Sequence, residues 1–344
     1  MNAADPAAVV VGVDVGGTKT NATVLTAHGE FLINRMIEVP SCVHDGPAAA
    51  IAAVAEVIAM VLDIAEVPTS AVCGVGLDTP GPASANGVIA RLGATNFAEP
   101  EWHGFDIRAA LADALGLPVI YNNDGNAAAL YAHAQHFGAL ASARSSISAI
   151  VGTGLGGGVI EQGAVVRGAS GMAGELGHVH IPTDGLLGPG QPPPQCNCGF
   201  VGDAESVASL SGIRKNLLPY WLGRFPDHPL AGLSSLDVAA KAVRGFGERG
   251  DEVALAIFDQ QAMALGRLFT IAANFTDPDV YFVGGGVVDA APHFRDWFVD
   301  RVRANTSLRA EQAAIAEFAL VPDLDMAGAR GSAVAAWQAA RRPG

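Results

Sequence analysis

The chain has 344 residues, half of them apolar and only 16% charged, which predicts about two domains with sizeable cores and excludes intrinsic disorder. The 34 acidic and 20 basic residues give a formal net charge of −14, which argues against nucleic acid or anionic lipid as a partner. Four cysteines are too few for a disulfide scaffold, and the sequence contains no run of 18 apolar residues that would predict a membrane span. The first residues lack the basic segment of a signal peptide, so we expect a cytoplasmic protein.

The first predicted elements form a β-hairpin around two glycines. Residues 9–15 are a nearly unbroken β-branched run, typical of a buried strand, and an extended pattern resumes after Gly16-Gly17. The pattern then predicts a helix over 47–65, a strand over 71–77, a helix over 107–115 and a strand over 119–121. That last strand leads into Asn122-Asn123-Asp124.

The second half of the chain repeats this plan. A helix over 126–138 is followed by a strand over 146–151, a glycine run over 152–158 and a strand that continues at 159–160. We therefore predict two similar halves, each opening with strand, glycine turn and strand. A long helix over 253–275, a strand over 280–283 and a last helix over 328–341, which returns to the first domain, complete the pattern.

Three glycine clusters follow predicted buried strands, and together they indicate a nucleotide site. Glycine lets backbone N–H groups approach phosphate oxygens closely. A P-loop is excluded because Thr18 separates Gly17 from Lys19, and a dinucleotide fingerprint is excluded because the 152–158 run continues as strand instead of helix.

The segment Asp14-Val15-Gly16-Gly17-Thr18-Lys19 resembles the first phosphate motif of the sugar kinase, actin and heat-shock chaperone ATPase superfamily. Gly152-Thr153-Gly154 resembles its second phosphate motif, and Gly284-Gly285-Gly286 its adenosine motif. The resemblance implies an α/β fold of two ribonuclease-H-like (actin-like ATPase) domains that close an interdomain cleft around ATP. It also implies Mg²⁺ held near Asp14. We expect one domain over 1–123 plus 326–344 and the other over 124–325.

Asn123-Asp124 lies at the carboxyl end of a predicted strand, and ligands of α/β sheets usually bind at such strand ends. A carboxylate at that position can accept the proton of an attacking hydroxyl. The alternative interpretation is a helix cap, because a predicted helix begins just after the pair.

The segments Glu175-Leu176-Gly177-His178, Cys196-Asn197-Cys198-Gly199 and Gly202-Asp203-Ala204-Glu205 resemble those of the ROK family of repressors, open reading frames and sugar kinases. The resemblance implies an ATP-dependent hexose kinase, with glucose as first choice, in which Asp124 is the general base. N-acetylmannosamine or N-acetylglucosamine is the second choice of sugar. It also implies a set of sugar-binding residues: Gly81, Asn96, Asn123, Asp124, Glu175, His178 and Glu205.

The family's structural zinc ligands are one histidine and three cysteines, and here Asp203 stands at the third cysteine position. His178, Cys196, Cys198 and Asp203 can still supply four ligands, or the site has lapsed and packing alone holds the loop.

A ROK repressor is disfavoured because no helix-turn-helix domain precedes the first hairpin. A non-catalytic sugar sensor is disfavoured by Asp124 and the three glycine motifs. Polyphosphate stays open as an alternative phosphoryl donor. We expect a homodimer or a homotetramer.

Overall fold

The computed structural model describes residues 7–81, 86–91 and 96–341. Its strands are β1 (Val9–Val15), β2 (Lys19–Thr26), β3 (Glu38–Pro40), β4 (Val72–Thr79), β5 (Val119–Asn123), β6 (Ser146–Val151), β7 (Leu155–Glu161), β8 (Ala164–Val165), β9 (Val280–Gly285) and β10 (Glu317–Leu320). Its α-helices are α1 (Pro47–Ile64), α2 (Ile107–Leu115), α3 (Asp124–Phe137), α4 (Leu210–Gly212), α5 (Leu218–Arg224), α6 (Leu236–Gly247), α7 (Glu252–Thr276), α8 (Pro292–Ala304), α9 (Ala310–Ala313) and α10 (Leu324–Ala340).

The strands form two five-stranded sheets with the same internal order. The first sheet has the order β3-β2-β1-β4-β5. The second, listed from its opposite edge, has the order β8-β7-β6-β9-β10, so that β1 corresponds to β6, β2 to β7 and β4 to β9. Strand β1 pairs antiparallel with β2 and parallel with β4, and β6 pairs parallel with β9. This repetition confirms the predicted pair of similar halves and the α/β fold class.

The chain divides into two compact units. One contains residues 1–143, 158–174 and 322–344, and the other contains 144–157 and 175–321. The division therefore differs from the predicted one, in which residues 124–325 formed the second domain. Helix α3 lies in the first unit because it packs against α10, a contact between segments nearly 200 residues apart that local sequence patterns do not reveal.

Helix α10 approaches the first sheet so closely that two strand positions require glycine. A Cβ on Gly12 would lie 1.9 Å from the carbonyl oxygen of Ala329, and one on Gly76 would lie 1.8 Å from that of Ser332. Both distances are far below van der Waals contact, so α10 forms an integral layer against β1 and β4. The predicted return of the last helix to the first domain is confirmed.

Among the described residues, α1 is the one helix long and apolar enough to cross a membrane by length and composition, a match that the sequence pattern did not predict. Its buried side chains, which include Val54, Val57 and Val61, belong to the core of the first unit together with Val11 and Leu77 of the sheet. This one-sided burial is what a core helix shows.

Candidate active site

Two aspartates lie side by side near the carboxyl ends of neighbouring parallel strands in the first unit. Asp14 of β1 and Asp78 of β4 are register partners. Asn21 donates a hydrogen bond to Asp14 (3.1 Å), and the Ser332 hydroxyl donates one to Asp78 Oδ2 (2.7 Å). Asp78 is fully buried, and its Oδ1 has no hydrogen-bond partner.

Burial raises the pKa of both carboxyl groups, and the pKa of Asp78 rises well above its usual range because the Asp14 charge adds to the effect. Asp78 was not predicted from the sequence. Its signal was an acidic residue at the end of an otherwise apolar strand, next to Thr79-Pro80.

A glycine turn follows Asp14. Gly16 N–H donates to the Lys19 carbonyl (2.8 Å), and a Cβ on Gly17 would lie 2.6 Å from Asn96 Oδ1. Asn96, predicted to line the sugar pocket, therefore lies against this glycine turn. Thr18 is exposed beside them. The predicted phosphate residue Lys19 is also exposed and pairs with Glu38, which favours a solvated strand residue.

The Asn123-Asp124 pair joins a strand to a helix, also in the first unit. Asn123 caps α3 by accepting a hydrogen bond from Asn126 N–H (2.8 Å), so the capping interpretation is correct for this residue. Asp124 is the first residue of the helix, is exposed, and accepts from Gly125 N–H (2.7 Å). A helix N-terminus stabilises an ionised carboxylate. The exposed Gly81 lies just after β4.

Asp124 contributes to the raised pKa of Asp78, so Asp14, Asp78 and Asp124 form a carboxylate cluster within the first unit. Carboxylate oxygens are the ligands that Mg²⁺ prefers. The unpartnered, buried oxygen of Asp78 beside Asp14 fits a cation that would neutralise the pair.

The second glycine turn, in the second unit, opens on a cavity of about 360 Å³. Gly152 N–H donates to the Gly154 carbonyl (2.9 Å) and shapes the turn. The cavity is lined by residues of the turn, of helices and of the predicted adenosine motif: Val151, Gly152, Thr153, Leu210, Ile213, Ala240, Lys241, Arg244, Phe258, Gln261, Gly286 and Val287.

The glycines of the predicted adenosine motif have different surroundings. Gly286 is exposed at the cavity, whereas Gly284 and Gly285 are buried in β9. Gly285 has φ of 93°, and a Cβ on it would lie 2.2 Å from the Val151 carbonyl oxygen. Its glycine is required by the close approach of β6 to β9.

Three predicted sugar residues are brought together in the second unit. Burial raises the pKa of Glu175, an effect that the His178 charge opposes and the Glu205 charge reinforces. Glu205 also contacts the second glycine turn, because its Oε2 accepts from Leu155 N–H (2.9 Å). This contact was not predicted from the sequence.

The four predicted zinc ligands form one cluster in the same unit, with their ligand atoms within 4.8 Å of one another. His178 Nδ1 lies 3.1 Å from Asp203 Oδ2 and 3.5 Å from Cys198 Sγ, and Cys196 Sγ lies 3.9 Å from the same nitrogen. Tetrahedral zinc bonds of about 2.0–2.3 Å separate ligand atoms by roughly 3.3–3.8 Å, so these residues fit the ion. Burial raises the pKa of the Cys196 thiol.

Comparison with known proteins gives a consistent result over nearly the whole chain. The sequence profile of the ROK family matches residues 10–339. The glucokinase of Halalkalibacterium halodurans is 32% identical over 314 residues, covering 87% of this chain and 89% of that protein. The N-acetyl-D-glucosamine kinase of Escherichia fergusonii is 31% identical, covering 80% and 83%. A ROK family glucokinase from Streptomyces griseus, solved in complex with glucose and AMPPNP, has a TM-score of 0.70 at 27% identity and covers 96% and 99% of the two chains.

Proposed function

Because the chain belongs to the ROK family, we propose that it is a glucokinase that transfers the γ-phosphoryl group of ATP to the 6-hydroxyl of glucose. The observation that carries this function is the cavity of about 360 Å³ in the second unit. A predicted phosphate motif, at Gly152 and Thr153, and the predicted adenosine motif, at Gly286, line this one cavity. Its size is typical of a small-molecule site.

The acidic cluster of the first unit supplies the base and the metal ligands of the reaction. Asp124 accepts the proton of the 6-hydroxyl as that oxygen attacks the γ-phosphorus. Asp124 is exposed at the start of α3, which leaves its carboxylate accessible to a substrate. Asp14 and Asp78 would hold a Mg²⁺ ion, which would supply positive charge to neutralise the phosphates.

The hydrogen-bonding side chains select the sugar. Asn123, Glu175, His178 and Glu205 offer amide, carboxylate and imidazole groups that pair with ring hydroxyls. A sugar that lacks a matching hydroxyl leaves such a group unpaired, and this discriminates strongly against it. His178 turns Nδ1 toward the cysteines, so its Nε2 is the nitrogen that serves the sugar.

A zinc ion bound by His178, Cys196, Cys198 and Asp203 has a structural role in this proposal. The cluster has four protein ligands and so matches a closed site without a position for water. The ion would fix the loop that leads to Glu205 and orient the His178 ring. The cytoplasmic location and the homodimeric or homotetrameric state remain predictions.

The second candidate is an N-acetylglucosamine or N-acetylmannosamine kinase, which the 31% identical relative favours. The test is a panel of hexoses and N-acetylhexosamines with ATP and Mg²⁺, followed by ADP release. Turnover with glucose at least tenfold above the acetylated sugars supports the first candidate, and the reverse order supports the second. Sugar binding without ADP release would identify a sensor instead.

A further inference from the structure

We infer that Asn216 is a positioning residue for sugar binding, because its side chain closes the loop of residues 195–206 and so holds Glu205 in place. The inference rests on the proposed function, in which Glu205 binds the sugar, and adds a residue to it. Asn216 lies in the second unit, in a single π-helical turn, Ile213–Leu217, and no predicted motif includes it. Turns of this kind often occur at functional sites. The loop, called the ligand loop below, also contains three members of the metal-ligand cluster: Cys196, Cys198 and Asp203.

The amide of Asn216 joins the two ends of the ligand loop by three hydrogen bonds. At the first end, its Oδ1 accepts from Gln195 N–H (3.0 Å), and its Nδ2 donates to the Gln195 carbonyl (3.0 Å). At the other end, the same Nδ2 donates to the Ser206 carbonyl (2.8 Å). The closure therefore uses one acceptor and two donors, a combination that a side-chain amide supplies in one group.

This closure sets the relative positions of Cys196 and Glu205. Gln195 immediately precedes Cys196 in the chain, and the side chains of Cys196 and Glu205 meet across the loop. The Cys196 Sγ lies 3.3 Å from Glu205 Oε1. Ser206, which immediately follows Glu205, is buried. Loss of the Asn216 amide would free both ends together, so the carboxylate of Glu205 would no longer be held in one position.

The hydrogen bonds that support the second end of the loop are made by protein groups. Ser206 N–H donates to Asp203 Oδ1 (2.9 Å), and the Ser206 hydroxyl donates to the Asp203 carbonyl (2.6 Å). Glu205 N–H donates to the Gly177 carbonyl (2.8 Å). A loop that is already closed loses little conformational freedom when it binds a ligand. We therefore expect Glu205 to keep its sugar-binding position even when the cluster holds no metal ion.

Asn305, in the same unit, provides a matched control. Like Asn216, it is half-buried, and its Nδ2 donates to a backbone carbonyl, that of Arg301 (2.8 Å). Arg301 lies four residues earlier in the chain, within α8, so this hydrogen bond closes no loop. Leucine resembles asparagine in shape and lacks its hydrogen-bonding groups. Asn216→Leu and Asn305→Leu therefore remove the same chemical group from two different settings.

The first arm of the experiment uses the unmodified enzyme. One sample is treated with chelator, which is then removed, and a second receives one equivalent of zinc; both are assayed with glucose, ATP and Mg²⁺. We expect the two glucose KM values to agree within about threefold. A glucose KM about tenfold or more higher in the chelated sample would overturn the inference, because the metal rather than Asn216 would then hold the loop. This arm decides even if Asn216→Leu does not fold.

The second arm compares the two variants after chelation. We expect Asn216→Leu to raise the glucose KM about 10–30-fold and to keep kcat within about threefold, because the proposed base, Asp124, belongs to the first unit. Asn305→Leu should change neither value. Partial unfolding would instead lower kcat through a smaller active fraction and leave the glucose KM unchanged. That result, or a parent-like glucose KM in folded Asn216→Leu, would show that Asn216 has no role in sugar binding.

Hydrogen–deuterium exchange tests the loop without turnover. We expect the amides of residues 195–206 to exchange about tenfold faster or more in Asn216→Leu than in the parent, and Asn305→Leu to leave their exchange unchanged. Equal protection of the ligand loop in the three proteins would overturn the inference while leaving the kinase assignment intact. Absence of ADP release by the parent with every sugar would refute the proposed function, whatever the exchange shows.

Discussion

The two glycine hairpins share one backbone plan but differ in what surrounds them. The first, β1 and β2, carries Asp14 beside Asp78, a pair of buried or half-buried carboxylates. The second, β6 and β7, is held from outside, because Leu210 and Ser211 donate backbone hydrogen bonds to the carbonyls of Gly152 (3.0 Å) and Thr153 (3.1 Å). The repeated fold thus fixes where each glycine turn lies. In the proposed mechanism, the neighbouring segments decide whether a turn serves acid–base and cation chemistry or nucleotide binding.

The largest effect is expected for the carboxylates near the first hairpin. Asp124→Asn keeps the shape of the side chain and removes its basicity, so kcat should fall about 10²–10⁴-fold while glucose binding survives. Steady-state kinetics and direct titration with glucose measure the two quantities. The control Asp113→Asn changes an exposed aspartate of α2 and should leave kcat unchanged. Near-normal kcat in Asp124→Asn would remove this residue from the mechanism.

The next largest effect is expected at Glu205, which is one of the predicted sugar-binding residues and also contacts the second glycine turn. Glu205→Gln retains an oxygen for Leu155 N–H but loses the charge, so the glucose KM should rise about 10–100-fold with little change for ATP. Glu205→Ala removes both contacts and should raise the ATP KM as well. Glu161→Gln, an exposed change on the same hairpin, is the control.

An equal rise of both KM values in Glu205→Gln would contradict the separation of the two roles. It would indicate that the charge itself, rather than an acceptor at Leu155, maintains the phosphate turn. Circular dichroism and thermal unfolding of the same samples distinguish that result from a loss of folded protein.

Zinc occupancy sharpens the comparison further, since the first unit has no counterpart of this cluster among its described residues. Asp203→Cys replaces a hard oxygen with a soft thiolate, so zinc should bind about tenfold more tightly or better, and Tm should rise by several degrees. Elemental analysis and thermal unfolding, with and without chelator, measure both. Asp184→Cys adds a thiol outside the cluster and should change neither. Less than about a tenth of an equivalent of zinc in the active parent protein would show that packing alone holds this loop.

The smallest effect is a pH dependence of stability in the first unit. Folding raises the pKa of Asp78, so the folded state holds that proton more tightly than the unfolded chain does. Stability therefore decreases as the pH rises from the ordinary aspartate range through the raised pKa. Asp78→Asn cannot ionise and keeps an oxygen for Ser332, so with chelator present it should gain about 2–4 °C in Tm relative to the parent between pH 5 and pH 8. A constant difference would show that Asp78 is not the titrating group.

Local patterns predicted both hairpins and the two similar halves, because short motifs dictate turns and their order fixes topology. The resemblance to the ROK family, rather than a local pattern, identified the four residues that the structure brings together as a cluster. Asp78 was missed for a different reason. It becomes notable only when strand pairing places it beside Asp14. Such pairings between distant segments have no signature within a single local window.

The discontinuity of the first unit has a consequence for protein synthesis. Helix α10, whose backbone covers Gly12 and Gly76, emerges from the ribosome only after the whole second unit has been made. Domains usually fold in the order of their translation, but here the amino-terminal sheet must wait with its α10-facing side uncovered. The second unit is therefore the first that can complete its core. Exposure of nascent β1 and β4 to chaperones should last until α10 has been translated.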